Sequence, residues 1–268
     1  MFRRRFIITI GDSRVGKSTV SRLLLELYKK HDLNIRAFYH GYRPGDLSNK
    51  LSVYDKLGFN IRHLGLNRGD SDLLLNELEM FSEIDLALTD MPGQNLLDFF
   101  RFEKEIYFLE NLNSLGYRAT FIHPISNRRD CVEYLQSLYH IFGNRGDYLV
   151  VKNQHFSNFF KYYDGTHIQE DINNLGGVEL ILPKLEDYIY QDLEDTNLPY
   201  KMAITTESDM QVLYRSVVFN WMENFHDTVM DHKVALVYLG LKRDCTELTQ
   251  QEASLSKKNS EVRSQESE

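Results

Sequence analysis

Gly11-Asp12-Ser13-Arg14-Val15-Gly16-Lys17-Ser18, with Thr19 behind it, decides how the rest of the chain is read. The stretch has the spacing G-x-x-x-x-G-K-[ST] and lies between the apolar run Phe6-Ile7-Ile8-Thr9-Ile10 and an amphipathic segment. That strand-to-helix context gives the spacing its meaning. The glycines let the backbone curl until successive N–H groups face one centre, and the following helix adds the positive end of its dipole. The reading is a phosphate-binding loop running from Gly11 to Thr19. In it Lys17 reaches the β- and γ-phosphates of a nucleotide, Ser18 ligands Mg²⁺, and Thr19 sits near the α-phosphate.

Working outward, Val20, Leu23, Leu24, Leu27 and Tyr28 recur at helical spacing, and Lys29, Lys30 and His31 suit the C-terminal end of that helix. A second strand is expected over Asn34 to Tyr39. It leads into the Gly- and Pro-containing loop His40 to Asp46, after which a helical piece over Asp46 to Lys56 and a short strand near Asn60 to Leu64 are expected. A helix runs from Asp70 or Ser71 to about Ser82, and the buried strand Ile84–Asp90 ends in Met91-Pro92-Gly93-Gln94. One helix is expected over Leu96 to Leu115, closed by Gly116. Strands at Arg118–His123, Tyr148–Lys152 and Val178–Leu182 alternate with helices at Asp130–Phe142 and Thr166–Leu175. Such alternation implies βαβ units, so the fold class is α/β, a mostly parallel sheet with helices on both faces. Right-handed crossovers then bring the functional loops to one edge of the sheet.

After Pro183 the pattern changes. A helix over Asp209 to about His226 carries Met210, Leu213, Val217, Phe219 and Trp221, and Val234–Leu239 is a last apolar segment. From Arg243 onward apolar residues nearly vanish, and a disordered tail is expected. The organisation read from this is a nucleotide-binding core over 1–185, a mainly helical extension over 186–242 packed on the core, and a tail over 243–268.

Composition narrows the function classes. An apolar content of 42%, with 16 Tyr and 16 Phe in 268 residues, indicates a folded globular chain. The net charge of −8 argues against a broadly basic nucleic-acid surface, although a local patch is compatible with it. The one dense basic run, Arg3-Arg4-Arg5, reads as a solvated lead-in to the first strand. No apolar run approaches the ~20 residues needed to span a bilayer. Cys131 and Cys245 are the only cysteines and have no metal-ligand spacing, so free thiols in the cytoplasm are the expectation.

Further site residues follow from position. Asp90 closes a buried strand, where its carboxylate can hold Mg²⁺ through water while Ser18 binds directly. Gly93 can bring a backbone N–H to a γ-phosphate, and Gln94 can orient an attacking water. In the loop after the second strand, Arg43 can contact a γ-phosphate and Asp46 can place Mg²⁺ or water. Asn153 follows a strand and can hydrogen-bond a base edge, with Pro183 on the far wall of the base pocket. Guanine-selective phosphate-loop proteins read Asn-Lys-x-Asp at this place. Here Lys152-Asn153-Gln154-His155 offers no such carboxylate, which favours ATP over GTP.

These marks resemble the phosphate-loop class that contains the ParA/MinD ATPases, dethiobiotin synthetase-like enzymes and conjugal-transfer TraL-like ATPases. The resemblance rests on the loop, on Asp90-Met91-Pro92-Gly93, on Val151-Lys152-Asn153 and on Ile181-Leu182-Pro183, and covers roughly residues 5–185. It implies a P-loop NTPase core that couples nucleotide state to a protein partner or a second copy, in plasmid or DNA transfer, partition or positioning. One departure stands out. ParA-like loops read K-G-G-x-G-K-[ST], with a first lysine that reaches the partner's nucleotide, and here that position is Asp12. Three alternatives remain: a GTPase switch, since Asp90 to Gln94 fits D-x-x-G-Q; a nucleotide-gated interaction protein with little turnover; and a small-molecule kinase or ligase.

Overall fold

The parallel sheet is built around its first strand. In the structure, a computed structural model that describes residues 4–40, 51–65, 68–81 and 83–242, β1 is Arg4–Thr9 and runs through the phosphate loop into α1, Lys17–Lys30. The remaining strands are β2 (Ile35–His40), β3 (Ile61–Leu64), β4 (Leu86–Asp90), β5 (Tyr117–Ile125), β6 (Asp147–Asn153) and β7 (Val178–Leu182). All pairings are parallel, and the sheet order is β3-β2-β4-β1-β5-β6-β7. The chain therefore fills one side of β1 with β2 to β4 and then the other with β5 to β7. Strand order reverses at β1, and the crevice outside the carboxyl ends of the strands opens at that point.

Alternation along each strand divides the core in two. Ile7, Leu88, Ile122, Leu149 and Val151 face a layer formed by α1, α7 (Asp187–Asp195), α8 (Tyr200–Ala203), α9 (Val212–Met230) and α10 (Lys233–Tyr238). Phe6, Ile8, Ala87, Phe121 and Val150 face the opposite layer of α2 (Arg68–Met80), α3 (Leu96–Ile106), α4 (Phe108–Ser114), α5 (Arg129–Phe142) and α6 (His167–Asn174). Both faces of the strands are buried, which is why they read as continuous apolar runs rather than alternating ones.

Several sequence expectations are corrected. The single helix over Leu96–Leu115 is two, α3 and α4, because Tyr107 takes a left-handed φ of 50°. The break turns Phe108 inward, where its ring lies 4.9 Å from that of Phe102, and the Leu109 N–H is caught by Glu103 Oε2 at 2.9 Å. Gly116 does end α4, with φ 82° and its N–H donating to Asn113 O. Of the helical piece expected over Asp46–Lys56, residues 46–50 lie outside the described residues, and the described part is a short 3₁₀ turn, Ser52–Leu57, that carries Tyr54 into the core. His40 is the buried last residue of β2 rather than part of a loop.

Arg4 and Arg5 are not a solvated lead-in. Both are strand residues: Arg4 stacks on Tyr117 at 4.3 Å, and Arg5 pairs with Asp147. On α9, Trp221 is buried, as is Phe225, whereas Leu213 and Phe219 point outward, the helix being wide enough in apolar residues to show some to solvent. Arg43, Asp46 and the tail 243–268 lie outside the described residues. Among the described residues no helix is long and apolar enough to cross a membrane.

Candidate functional site

The phosphate loop leaves β1 and opens α1 at the switch point. Gly16 is the cap of α1, at φ 96°, and a Cβ there would lie 2.5 Å from the Asn153 amide nitrogen, so the position needs glycine on two counts. No side chain caps the first N–H groups of α1, and no acidic residue stands in its first turn. The positive end of the helix dipole is thus left for an external anion.

Lys17 is buried and donates from Nζ to Asp12 O at 2.5 Å. Burial pushes its pKa down, against the pull of Asp90 and Asp12. Parallel pairing of β1 with β4 sets Asp90 beside Thr9, and the Met91 N–H donates to Thr9 O at 2.9 Å. Ser18 Oγ donates to Asp90 Oδ2 at 2.6 Å, and Ser21 Oγ lies 3.3 Å from Oδ1. Burial pushes the Asp90 carboxyl up, with the Ser18 bond and Lys17 opposing. A buried carboxylate with a hydroxyl beside it is a set of hard oxygen donors short of positive charge, and this suits Mg²⁺. The described residues hold no cluster of three or more His, Cys, Asp or Glu that would form a protein-only cage. Mg²⁺ does not need one, since it keeps waters and substrate phosphates as ligands.

Two further groups converge on the start of the loop. A Cβ on Gly93 would collide with Ser13 Oγ and lie 2.9 Å from Ser13 Cα, so the turn after β4 lies directly against the loop. Gln94, at φ 63°, follows Gly93 and acts with it at the start of the loop, helping to hold the Asp12 carboxyl down. Asp12 also pairs with Arg128, which donates to Ser13 O at 3.0 Å. Burial pushes the Asp12 carboxyl up, but the Ser13 N–H, Gln94 and Arg128 outweigh it and hold the group below the usual range.

The other end of the site is apolar and aromatic. Asn153 closes β6, donates from Nδ2 to Val15 O at 3.0 Å and accepts at Oδ1 from the His155 N–H at 3.1 Å. Beside it a cavity of about 330 Å³ is lined by Thr19, Phe156, Pro183, Tyr190 and Trp221. Trp221 Nε1 donates to Pro183 O at 2.8 Å, which fixes the indole against the end of β7. Thr19 Oγ1 lies 2.7 Å from the Tyr190 hydroxyl. Arg22, buried on α1, donates to that hydroxyl at 3.2 Å and pairs with Glu194 at 2.7 Å.

The structure brings Gly11 to Thr19, Asp90, Gly93, Gln94, Asn153 and Pro183 to one edge of the sheet, with Asp46 outside the described residues. Sequence reasoning missed Arg22, Arg128, Tyr190 and the place of Trp221 in the wall. Arg22 alone left a trace, as a charged residue four positions after Ser18 within the apolar stripe of α1. The other three are joined to the loop only by tertiary packing.

No protein-family model and no curated protein matches the chain. Among solved structures it is similar to the signal recognition particle receptor FtsY from Elizabethkingia anophelis in complex with GDP, at 12% identity and a TM-score of 0.47, covering 68% of this chain and 58% of that one. It is also similar to the MinD cell division protein of Aquifex aeolicus, at 16% identity and a TM-score of 0.45, covering 82% and 97%. FlhF complexed with GTP and Mg²⁺ resembles it at 17% identity and a TM-score of 0.41, over 69% and 67%. The likeness is one of fold alone and does not single out the TraL-like branch. The sheet order, the loop and the place of Asp90 give the chain the P-loop NTPase fold.

Proposed function

We infer that the chain binds a nucleoside triphosphate with Mg²⁺ and hydrolyses it, with ATP as the favoured nucleotide. The observation that carries the reading is the Ser18–Asp90 pair at 2.6 Å beside buried Lys17 and the uncapped start of α1. In this reading the loop amides and Lys17 hold the β- and γ-phosphates and stabilise charge as the terminal phosphoryl group leaves. Bound between Ser18 and Asp90, Mg²⁺ would supply positive charge across the phosphates. Gly93 offers its N–H to the γ-phosphate, and Gln94 orients water. Asn153 still has one amide N–H for a base edge after serving Val15 O, and Pro183, Phe156 and Trp221 wall the base. Thr19 reaches the α-phosphate by giving up Tyr190.

ATP is favoured because Gln154, His155 and Phe156 put no carboxylate after Asn153. The GTPase reading keeps one support, Asp90-Met91-Pro92-Gly93-Gln94, with Gln94 lying at the phosphate loop. Coupling to a protein partner or a second copy belongs to the same proposal. Exposed Val212, Leu213 and Phe219 on α9 are apolar surface available for such a contact.

Trp221 is the chain's only tryptophan and lines the cavity, so its fluorescence reads occupancy directly. Titration with ATP and GTP in Mg²⁺ should change the Trp221 signal, with ATP bound more tightly, and phosphate release should accompany it. A preference for GTP above about tenfold, ~1.4 kcal/mol, would reverse the order, and binding of neither would end the nucleotide reading.

A further inference from the structure

Arg128 stands at the start of α5 and grips the phosphate loop from outside α1. Its Nη2 donates to the Asp12 carboxylate and to Ser13 O, while Nε pairs with Asp130 at 3.2 Å. The side chain is still 42% exposed. On the same two loop residues converge Lys17 Nζ, bound to Asp12 O, and Gly93, packed on Ser13 and followed by Gln94, which helps to hold the Asp12 carboxyl down. Lys17, Gly93 and Gln94 are the groups assigned above to the terminal phosphate and its water, so Arg128 lies among them.

Cations and carboxylates alternate at this point, Asp12 and Asp130 against Arg128, and Asp90 and Asp12 against Lys17. Lys17 and Arg128 share Asp12, and the charge of Arg128 adds to the forces lowering the Lys17 pKa. Asp90 is occupied with Ser18 on the metal side. A carboxylate at the second position of a phosphate loop would by itself repel an incoming phosphate. Paired with Arg128 it becomes an anchor that aims a guanidinium across the loop. Of the five N–H donors of that guanidinium, the contacts to Asp12, Ser13 and Asp130 use those on Nη2 and Nε, and the Nη1 pair is left among the described residues.

We propose that Arg128, positioned by Asp12, is a second cation, beside Lys17, that faces the terminal phosphate of a bound triphosphate, supplied by the same chain. This rests on the nucleotide reading above and adds to it a group that tells triphosphate from diphosphate. It also gives the aspartate at the second loop position a purpose: it anchors a second cation, from the β5–α5 connection, beside Lys17 of the loop.

The test is calorimetry on the full chain with Mg²⁺, using a non-hydrolysable triphosphate analogue and the matching diphosphate. Arg128→Ala should weaken the triphosphate by about tenfold and the diphosphate by less than about twofold, a hydrogen bond to a charged group being worth that much. Arg128→Lys should fall between. Asp12→Asn should lose part of the same discrimination, since it frees Arg128. Retained diphosphate binding shows that each variant is folded. Equal losses for the two nucleotides, or none, overturn the assignment. Restoration of turnover on mixing Arg128→Ala with Lys17→Ala protein overturns the same-chain part. Wild-type protein that binds neither nucleotide overturns the nucleotide reading itself, before any variant is made.

Discussion

The two ends of the site are built by different physics. At the phosphate end, short polar contacts link residues of one loop and the ends of the strands on either side of it: Lys17 to Asp12, Ser18 to Asp90, Arg128 to Ser13. At the base end, Phe156 after β6, Tyr190 of α7 and Trp221 of α9 line a cavity, and its shape depends on how helices far along the chain pack on α1. The contrast teaches where function and stability separate. A polar cradle can lose a functional group with little cost to the fold, because its members are buried against charge. A wall of aromatic residues is also core, so altering it unsettles both. Arg22 and Tyr190 join the two ends, since Arg22 donates to Ser18 O and to the Tyr190 hydroxyl.

The largest expected effect tests the base end. Trp221→Ala should destabilise the protein by about 3–5 kcal/mol in urea denaturation, through the cavity left and the lost Pro183 bond. A loss below about 1 kcal/mol would show that α7 to α10 merely rest on the sheet, and the contrast would collapse. At the phosphate end, Lys17→Ala should lower phosphate release by about 10²–10³-fold, as removal of one preorganised charge does, while the denaturation midpoint holds or rises. A large drop in stability would mean that this cradle is structural too.

Asn153→Ala sits at the junction and should affect both readouts, at about 1–3 kcal/mol of stability together with weaker nucleotide binding, because it leaves Val15 O and the His155 N–H unserved. An effect on binding alone would move Asn153 wholly to the base end.

A separate effect concerns pH. His123 lies under Gly11, where a Cβ would come within 3.1 Å of its ring, and its Nε2 is 2.9 Å from Cys131 O. Burial lowers its pKa to about 4 from the ordinary 6.5. Above pH 6.5 the imidazole is neutral in both folded and unfolded chains, and its contribution is fully present. As pH falls from 6.5 to 4 the unfolded chain takes up a proton that the folded one refuses, so stability is lost across that window and no further below it. His40, also lowered to about 4 by burial, acts in the same direction. Denaturation midpoints at pH 7, 5.5 and 4 should show the decline, and His123→Gln should flatten it. An unchanged slope would separate His123 from the loop above it.

Much of the phosphate end is legible in residue order. Val20, Leu23 and Leu24 at helical spacing place Lys17 and Ser18 at a helix start, and a carboxylate closing the apolar run Leu86–Thr89 announces Asp90. Other features escape for stated reasons. Nothing local marks Tyr107 as a left-handed break, because it is the inward packing of Phe108 against Phe102 that compensates for that backbone. Phe219 reads like Trp221 along the sequence, yet only Trp221 faces Pro183. Arg128 is one arginine among several until the β5–α5 connection swings it over Asp12.

By itself the sequence determined that this chain makes a parallel α/β sheet with a phosphate loop at its first strand, because periodicity, glycine placement and helix-start chemistry act over a few residues. Only the tertiary structure decided the strand order that puts Asp90 beside Ser18, the pairing of Asp12 with Arg128, and the wall that α7 and α9 raise around the cavity. Those contacts join residues far apart in the chain, and their energies exist only once the sheet has closed its two layers around them.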